Sequence, residues 1–460
     1  MLDQISGQKF PISMAAPAQF PAPEAFGSET DASCDVVVIG GGIIGVCAAV
    51  FLARAGRRVT LLEKGRIAGE QSSRNWGWIR VQGRDAAEIP IALEARALWQ
   101  SLSAELDVDI GLTRSGVAYL ADHEHEMKLF ADWLPDGQAA GLDSALLSGA
   151  DWASKIPAAA ARWTGALWTA SDMRAEPFLA VPALARLAAR EGAVIHEGCA
   201  VRGLDIQAGR VCGVVTERGN IRASEVLVAA GAWSSLFLRR HGVTLPQLSV
   251  RATVAQTAPV ANVFDGAATG AGLAFRRRAD GGYTLAPSGF HELFLGPDAF
   301  RALPKYAAQL RKDVLGRAYH LAAPRGYPDG WNTPRRWSMD GPSPFEAMRV
   351  LNPAPNTRKV EQVRQGFQAV FPQLGAVPIQ RAWAGMIDVL PDVVPVVDRI
   401  DTLPGLTVAT GMCGHGFGIG PAFGRIVADM IEGRAPGHDM QRFRFSRFSD
   451  GSRLVPGPDL

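Results

Sequence analysis

Three glycines spaced Gly40-x-Gly42-x-x-Gly45 stand between an apolar run at 36–39 and a helical run over about 43–55. That spacing suits the chemistry of holding a pyrophosphate. Gly40 permits a tight turn, Gly42 lets the backbone approach a diphosphate, and Gly45 lets the helix pack close to the strand. The helix N-terminus, opened by Ile43 and Ile44, turns N–H groups and a positive dipole end toward the anion. A second apolar run at 59–62 ends on Glu63, followed by Lys64, and Glu63 lies 18 residues beyond Gly45. A carboxylate placed there accepts hydrogen bonds from an adenosine ribose. A lone Gly-x-Gly-x-x-Gly is also what a glycine-rich turn gives. With strand, helix, second strand and terminal acid in order, the stretch reads as a dinucleotide site.

A second glycine-rich turn decides which dinucleotide. Gly411, Gly414, His415, Gly416, Phe417 and Gly418 follow an apolar run at 406–410 and open a helix to about Ile431. An NAD dehydrogenase has no use for this element. For a flavin, the helix N-terminus can aim N–H groups at the N1/C2=O edge, where negative charge develops on reduction. No other Gly-x-Gly-x-x-Gly with a following acid or arginine occurs between 100 and 380. FAD is therefore the expected cofactor, with electrons arriving from the substrate and leaving to oxygen or a quinone.

Candidates for touching substrate are fewer. His415 sits in the second glycine turn, where it either shapes the loop or stands beside the flavin; Cys413, two residues away, reads as packing. Arg276, Arg277 and Arg278 end an expected strand, and alternation puts Arg276 and Arg278 on one face. That face is either a solvated edge or a clamp for a substrate carboxylate. Tyr283 and His291, on neighbouring expected strands, are candidates for the same pocket, and Arg80 and Arg84 are further candidates for the carboxylate. No metal-ligand spacing is present.

These residues need elements to hold them. Beyond the dinucleotide unit, helices are expected over 91–103 and 178–191, with short strands and loops over 105–170. Strands follow at 193–196, 200–206, 211–216 and 225–229, closing on Ala230, Gly231 and Trp233. Alternation over 249–256, 272–276, 283–286 and 291–295 predicts a separate antiparallel sheet. Helical stretches at 300–320 and 357–370 flank a Pro/Gly-rich excursion at 322–357, and strand character returns over 375–400. The last twenty-odd residues read as a basic, polar tail. At 460 residues the chain holds two domains or one with a large insertion.

Bulk composition narrows the function classes. A net charge of +2 gives no reason to expect nucleic acid or an anionic membrane as partner. Seven lysines against forty arginines reflect base composition rather than a phosphate-binding surface. The five cysteines are odd in number and scattered, which fits buried thiols in a reducing cytoplasm. The first thirty-odd residues lack a charged start and apolar core and read as a surface arm. No apolar run reaches 18 residues, so no transmembrane helix is expected, although a peripheral membrane contact is compatible with passing electrons to a respiratory chain.

Together, residues 37–64, the Ser72-Ser73-Arg74-Asn75-Trp76-Gly77-Trp78 segment, residues 228–234, the Arg381-Ala-Trp-Ala-Gly385 segment with Pro391, Asp392 and Pro395, and Gly411–Gly420 resemble the FAD-dependent D-amino-acid oxidase/sarcosine oxidase/glycine oxidase superfamily. The resemblance spans most of 34–435. It implies that Ser72, Ser73 and Asn75 donate hydrogen bonds around the FAD pyrophosphate and that Trp76–Trp78 border the isoalloxazine. It also implies a backbone contact to adenine from the strand carrying Val201. Trp76 and Trp78 are bulkier than the small residues common there. With Gly385 and Trp76 where some relatives carry a tethering Cys or His, FAD is expected to be noncovalent.

The expected fold is α/β, a discontinuous Rossmann-like FAD-binding domain (34–100, 155–240 and 385–435) with an antiparallel-sheet substrate domain (101–154 and 241–384). An N-terminal arm (1–33) and a C-terminal tail (436–460) flank them. The expected reaction is oxidative deamination: hydride transfer from an amino acid or N-substituted amino acid to flavin N5, followed by imine hydrolysis. Rival readings are a 2-hydroxy-acid dehydrogenase and the flavin subunit of a hetero-oligomeric dehydrogenase.

Overall fold

In the computed structural model, residues 32–457 are described, apart from 271 and 313–316; the expected N-terminal arm lies almost wholly outside them. Among the described residues, a six-stranded sheet runs in the order Val396–Arg399, Leu406–Thr410, Glu225–Val228, Val36–Ile39, Val59–Leu62, Val194–His196. All its pairings are parallel except that of the edge strand Val396–Arg399. The four residues Val36–Ile39 are buried without alternation, as a strand covered on both faces requires. Helices Ile43–Arg54, Pro177–Arg190 and Gly416–Ile431 pack with it in one core. This is a Rossmann-like unit assembled from distant parts of the chain.

A ten-stranded, mostly antiparallel sheet forms the second layer. Its long strands Leu248–Thr257 and Ile379–Val389 pair over nearly their whole length, with Ala252 opposite Gly385. Gly165–Thr169 also belongs to it, although that strand lies inside the 155–240 stretch grouped by sequence with the cofactor unit. A two-residue strand, Trp78–Ile79, pairs with Met173–Arg174 and fixes the start of the segment that follows Ser72–Gly77.

Three expectations are corrected. Within 105–170 the chain forms a 16-residue helix, Glu124–Ala139, rather than strands and loops alone. The expected helix over 300–320 is Pro297–Lys312; Arg317–His320 is instead a strand held by parallel pairing to His291–Phe294. The C-terminal tail is docked, not merely polar: Phe443 is buried, and Arg447 makes a two-point pair with buried Asp392 at 2.8 and 3.1 Å. No helix among the described residues is long and apolar enough to cross a membrane.

Candidate active site

A cavity of about 720 Å³ runs from the first glycine turn, past the six-stranded sheet's carboxyl edge, to the face of the large sheet. At one end Gly40, Gly42, Ile43 and Ile44 line it. The glycines are required by contact. A Cβ on Gly40, which has φ +113°, would meet the Ala229 carbonyl oxygen at 2.4 Å, and one on Gly45 would meet the Gly40 carbonyl oxygen at 2.0 Å. Gly45 lies behind the wall and acts only by letting helix and turn close up. Gly42 differs: a Cβ there would meet only Ser72 Oγ, at 3.1 Å, so this backbone faces open space.

Glu63 closes the strand end and lines the cavity. Its carboxylate accepts N–H bonds from Gly41 (2.8 Å) and Gly65 (2.7 Å). Burial pushes its pKa up, against the pull of Lys64 and these two bonds. Lys64 lines the cavity as well. Its ammonium binds Glu70 (2.8 Å) and the Met348 and Arg349 carbonyls (both 2.9 Å), and it lies 4.3 Å from the Trp233 ring centre. Trp233 Nε1 donates to both Glu70 oxygens, at 3.1 and 3.0 Å.

The Ser72–Trp78 segment forms the middle wall. Ser72 Oγ accepts from Ile43 N at 2.9 Å, which ties this segment to the first helix. Arg74 donates to the Gly69 and Ala384 carbonyls at 2.8 and 2.9 Å, while Trp383 Nε1 donates to the Arg74 carbonyl at 3.0 Å. Arg74 thereby clamps the strand that carries Gly385. Asn75, Trp76 and Trp78 line the cavity, the two rings edge-to-face with centres 5.1 Å apart. Ser73 and Gly77 are buried behind them; Gly77, at φ +77°, packs on the Ala175 carbonyl. Val201, Ala230 and Gly231 complete this side.

The second glycine turn brings a helix N-terminus to the same space. Gly414, His415, Gly416, Phe417 and Gly418 line the cavity, and the helix Gly416–Ile431 has no side-chain cap. Gly411, at φ +73°, does not line it. Its N–H instead donates to buried Asp388 Oδ2 at 2.7 Å, and a Cβ there would strike Leu390. Cys413 is buried; its thiol donates to the Gly411 carbonyl (3.0 Å) and its pKa is raised by burial, in keeping with packing.

Two candidate residues are withdrawn. Arg276 is buried and gives its guanidinium to Glu176, at 2.9 and 3.0 Å, outside the cavity. The face it shares with Arg278 is interior rather than a binding face, and Arg278 pairs with Asp280. Tyr283 is fully buried; its hydroxyl accepts from the Val263 and Phe264 N–H groups, at 3.0 and 3.1 Å, and its ring packs on Phe367. Tyr283 braces the large sheet from within, and Arg276 ties that sheet to Glu176 at the start of the helix Pro177–Arg190. His291 does line the cavity, at the end of a wall segment that includes Ser288, Gly289 and Phe290.

His415 is brought together with Arg80 and Arg84. Arg80 is half-buried, lines the cavity, and places Nη2 3.4 Å from His415 Nε2. Arg84 is buried, with burial pushing its pKa down to about 10. Burial first, then Arg84, holds the His415 imidazole at a pKa of about 4. Glu88, which sequence reasoning passed over, faces both: Oε2 lies 3.8 Å from His415 Nδ1 and 3.8 Å from Arg84 Nη1. It falls just before the helix expected over 91–103, and the structure makes it that helix's first residue, where the dipole alone would explain an acid. The helix Glu124–Ala139 adds Leu129 and Phe130 to the wall, beside Tyr119 and Leu120.

One glycine turn with open backbone, an acid at the second strand's end, and a second uncapped helix N-terminus all meet one cavity. That donor set and cradle fit a dinucleotide carrying a flavin. The family model for FAD dependent oxidoreductases (DAO) matches residues 35–430, and the chain belongs to this family. It is accordingly an FAD-dependent oxidoreductase. Its fold is similar to that of the L-amino acid deaminase from Proteus myxofaciens solved with anthranilate: TM-score 0.87 and 30% identity, over 92% of this chain and 95% of that one. It is also 25% identical over 443 residues to the glycine oxidase of Geobacillus kaustophilus, covering 90% of this chain and 97% of the relative. The sarcosine oxidase subunit beta of Rhizobium meliloti is 25% identical over 424 residues, covering 91% and 89%.

Proposed function

We propose that the chain oxidises the C–N bond of an α-amino acid, primary or N-substituted, and favours a bulky apolar side chain. The observation that carries this reading is Arg80, a half-buried guanidinium on a cavity wall otherwise rich in aromatic and aliphatic groups, beside the N-terminus of Gly416–Ile431. A planar fork of donors in that setting suits a carboxylate. Trp76, Trp78, Tyr119, Leu120, Phe130 and Ile387 supply the apolar surface for the side chain. The amino-acid substrates in the names of the three relatives support the same class.

FAD would be held noncovalently: the backbone of Gly40–Gly45 on the pyrophosphate, Glu63 on the ribose, Val201 by the adenine, Ser72 and Asn75 along the middle, and Gly414–Gly418 at the flavin. Bound there, FAD supplies a hydride acceptor at N5 for the substrate's α-hydrogen as C–N becomes C=N. The protein's part is orientation. Arg80 fixes the carboxylate, and the aromatic walls exclude water and disfavour the ammonium form, leaving the amine with its lone pair. His415, uncharged at neutral pH, adds no positive charge against that amine. The released imine hydrolyses to a 2-oxo acid and ammonia, or a primary amine if the nitrogen is substituted.

Product analysis tests this reading. Turnover should release ammonia or amine in equal amount to the 2-oxo acid, whereas 2-hydroxy-acid oxidation yields the oxo acid with no nitrogenous product. The likeness to a subunit beta supports one second reading, in which the isolated chain reduces its flavin only with a partner subunit present.

A further inference from the structure

Glu88 opens the helix Glu88–Ser103 and is 1% exposed, yet its Oε1 has no hydrogen-bond partner. His415 Nδ1 and Arg84 Nη1 are also buried without hydrogen-bond partners. Each of them stands 3.8 Å from Glu88 Oε2. Three polar atoms left open around one point, beside a substrate cavity, are costly unless they serve something. On the far side of the imidazole, Nε2 meets Arg80 Nη2 at 3.4 Å. Arg84 Nη2 contacts the His415 carbonyl at 3.5 Å, which steadies the backbone of the ring.

The donor inventory settles the ring's tautomer. A guanidinium has only donors, so Nε2 must be the acceptor toward Arg80. In the neutral ring the proton then sits on Nδ1, and Glu88 is the acceptor facing it. Burial and Arg84 keep the ring neutral, in agreement with that assignment. At 3.8 Å the Glu88 carboxylate acts on the Nδ1 proton by charge rather than through a hydrogen bond.

We infer that Glu88 is a positioning residue for substrate binding: it fixes the His415 tautomer whose Nε2 lone pair holds the Arg80 guanidinium in place for the carboxylate. The inference rests on the reading of Arg80 as the carboxylate ligand. Glu88 does not line the cavity, so its contribution passes through His415 and Arg80.

The test compares Glu88→Leu with Glu88→Gln in FAD-loaded enzyme, using an apolar α-amino acid and its matching amine without the carboxylate. Glu88→Leu should raise KM for the amino acid about tenfold with a smaller effect on kcat, and should leave KM for the amine within about twofold. Glu88→Gln keeps an oxygen facing Nδ1 and should return KM to within about threefold of the parent. If Glu88→Leu fails to retain FAD, Arg84→Met/Glu88→Leu removes both buried charges together and takes its place. Equal KM effects in the Leu and Gln variants, or a fall in kcat alone, would overturn the inference. Arg80→Met separates the two levels. If it leaves the preference for amino acid over amine intact, the carboxylate reading fails and the inference with it. If it abolishes that preference while Glu88→Leu does nothing, only the role of Glu88 fails.

Discussion

Arg276 spends its guanidinium on Glu176, whereas Arg80 lines the cavity, with Nη1 on the Gln82 carbonyl and Nη2 on His415 Nε2. Alternation along a strand assigns Arg276 and Arg278 to one face but carries no sign for which face is buried. The decisive partner, Glu176, lies 100 residues away in sequence. Arg80 was within reach of sequence reasoning because it follows the flavin-edge segment closely. Glu88 was not, since the helix expected over 91–103 left it in the preceding loop, whereas the structure starts that helix at Glu88. At this scale Arg80→Met should raise KM for an apolar amino acid by about ten- to a hundredfold, the worth of a charge-assisted bond. Steady-state kinetics check it, with the visible flavin spectrum showing that FAD is retained.

Among elements, the strand–turn–helix–strand unit at 36–63 was fully legible, because its spacing, hydropathy and terminal acid are local properties. The helix Glu124–Ala139 was not: it buries only Phe130, Trp133 and Gly137, carries Pro135 and has a weak apolar face. Arg317–His320 likewise owes its strand form to a partner, His291–Phe294, which no local pattern announces. The first glycine turn makes a firm expectation. Gly45→Ala would drive a Cβ into the Gly40 carbonyl 2.0 Å away, and should lower FAD affinity at least about tenfold through displacement of that turn. The ratio of flavin to protein absorbance after dialysis, followed by FAD titration, reads this directly.

Across the whole molecule, the Arg276–Glu176 pair joins the large sheet to the start of the helix Pro177–Arg190, on which the cofactor layer leans. Arg276 holds the Glu176 carboxyl at a pKa of about 2, against the cost of burial. The folded value lies below the unfolded one, so this stability is present above pH 4.5 and is lost as pH falls toward 2. It amounts to about 3 kcal/mol. Arg276→Met should therefore destabilise by about 3–5 kcal/mol in chemical denaturation, because it strands a buried carboxylate. Arg276→Met/Glu176→Met should recover most of that loss and flatten the acid limb of stability.

The same architecture brings Arg80, the aromatic walls and an uncapped helix N-terminus to one cavity, and its chemical meaning is testable in a single mixing experiment. Under anaerobic conditions, the FAD-loaded chain is mixed with an apolar α-amino acid, its 2-hydroxy analogue and its decarboxylated amine, and the oxidised flavin band is followed. Bleaching by the amino acid, with little or none by the other two, is the expected result. Bleaching by the hydroxy acid instead, or by none of the three until a partner subunit is added, would contradict amino-acid oxidation by this chain alone.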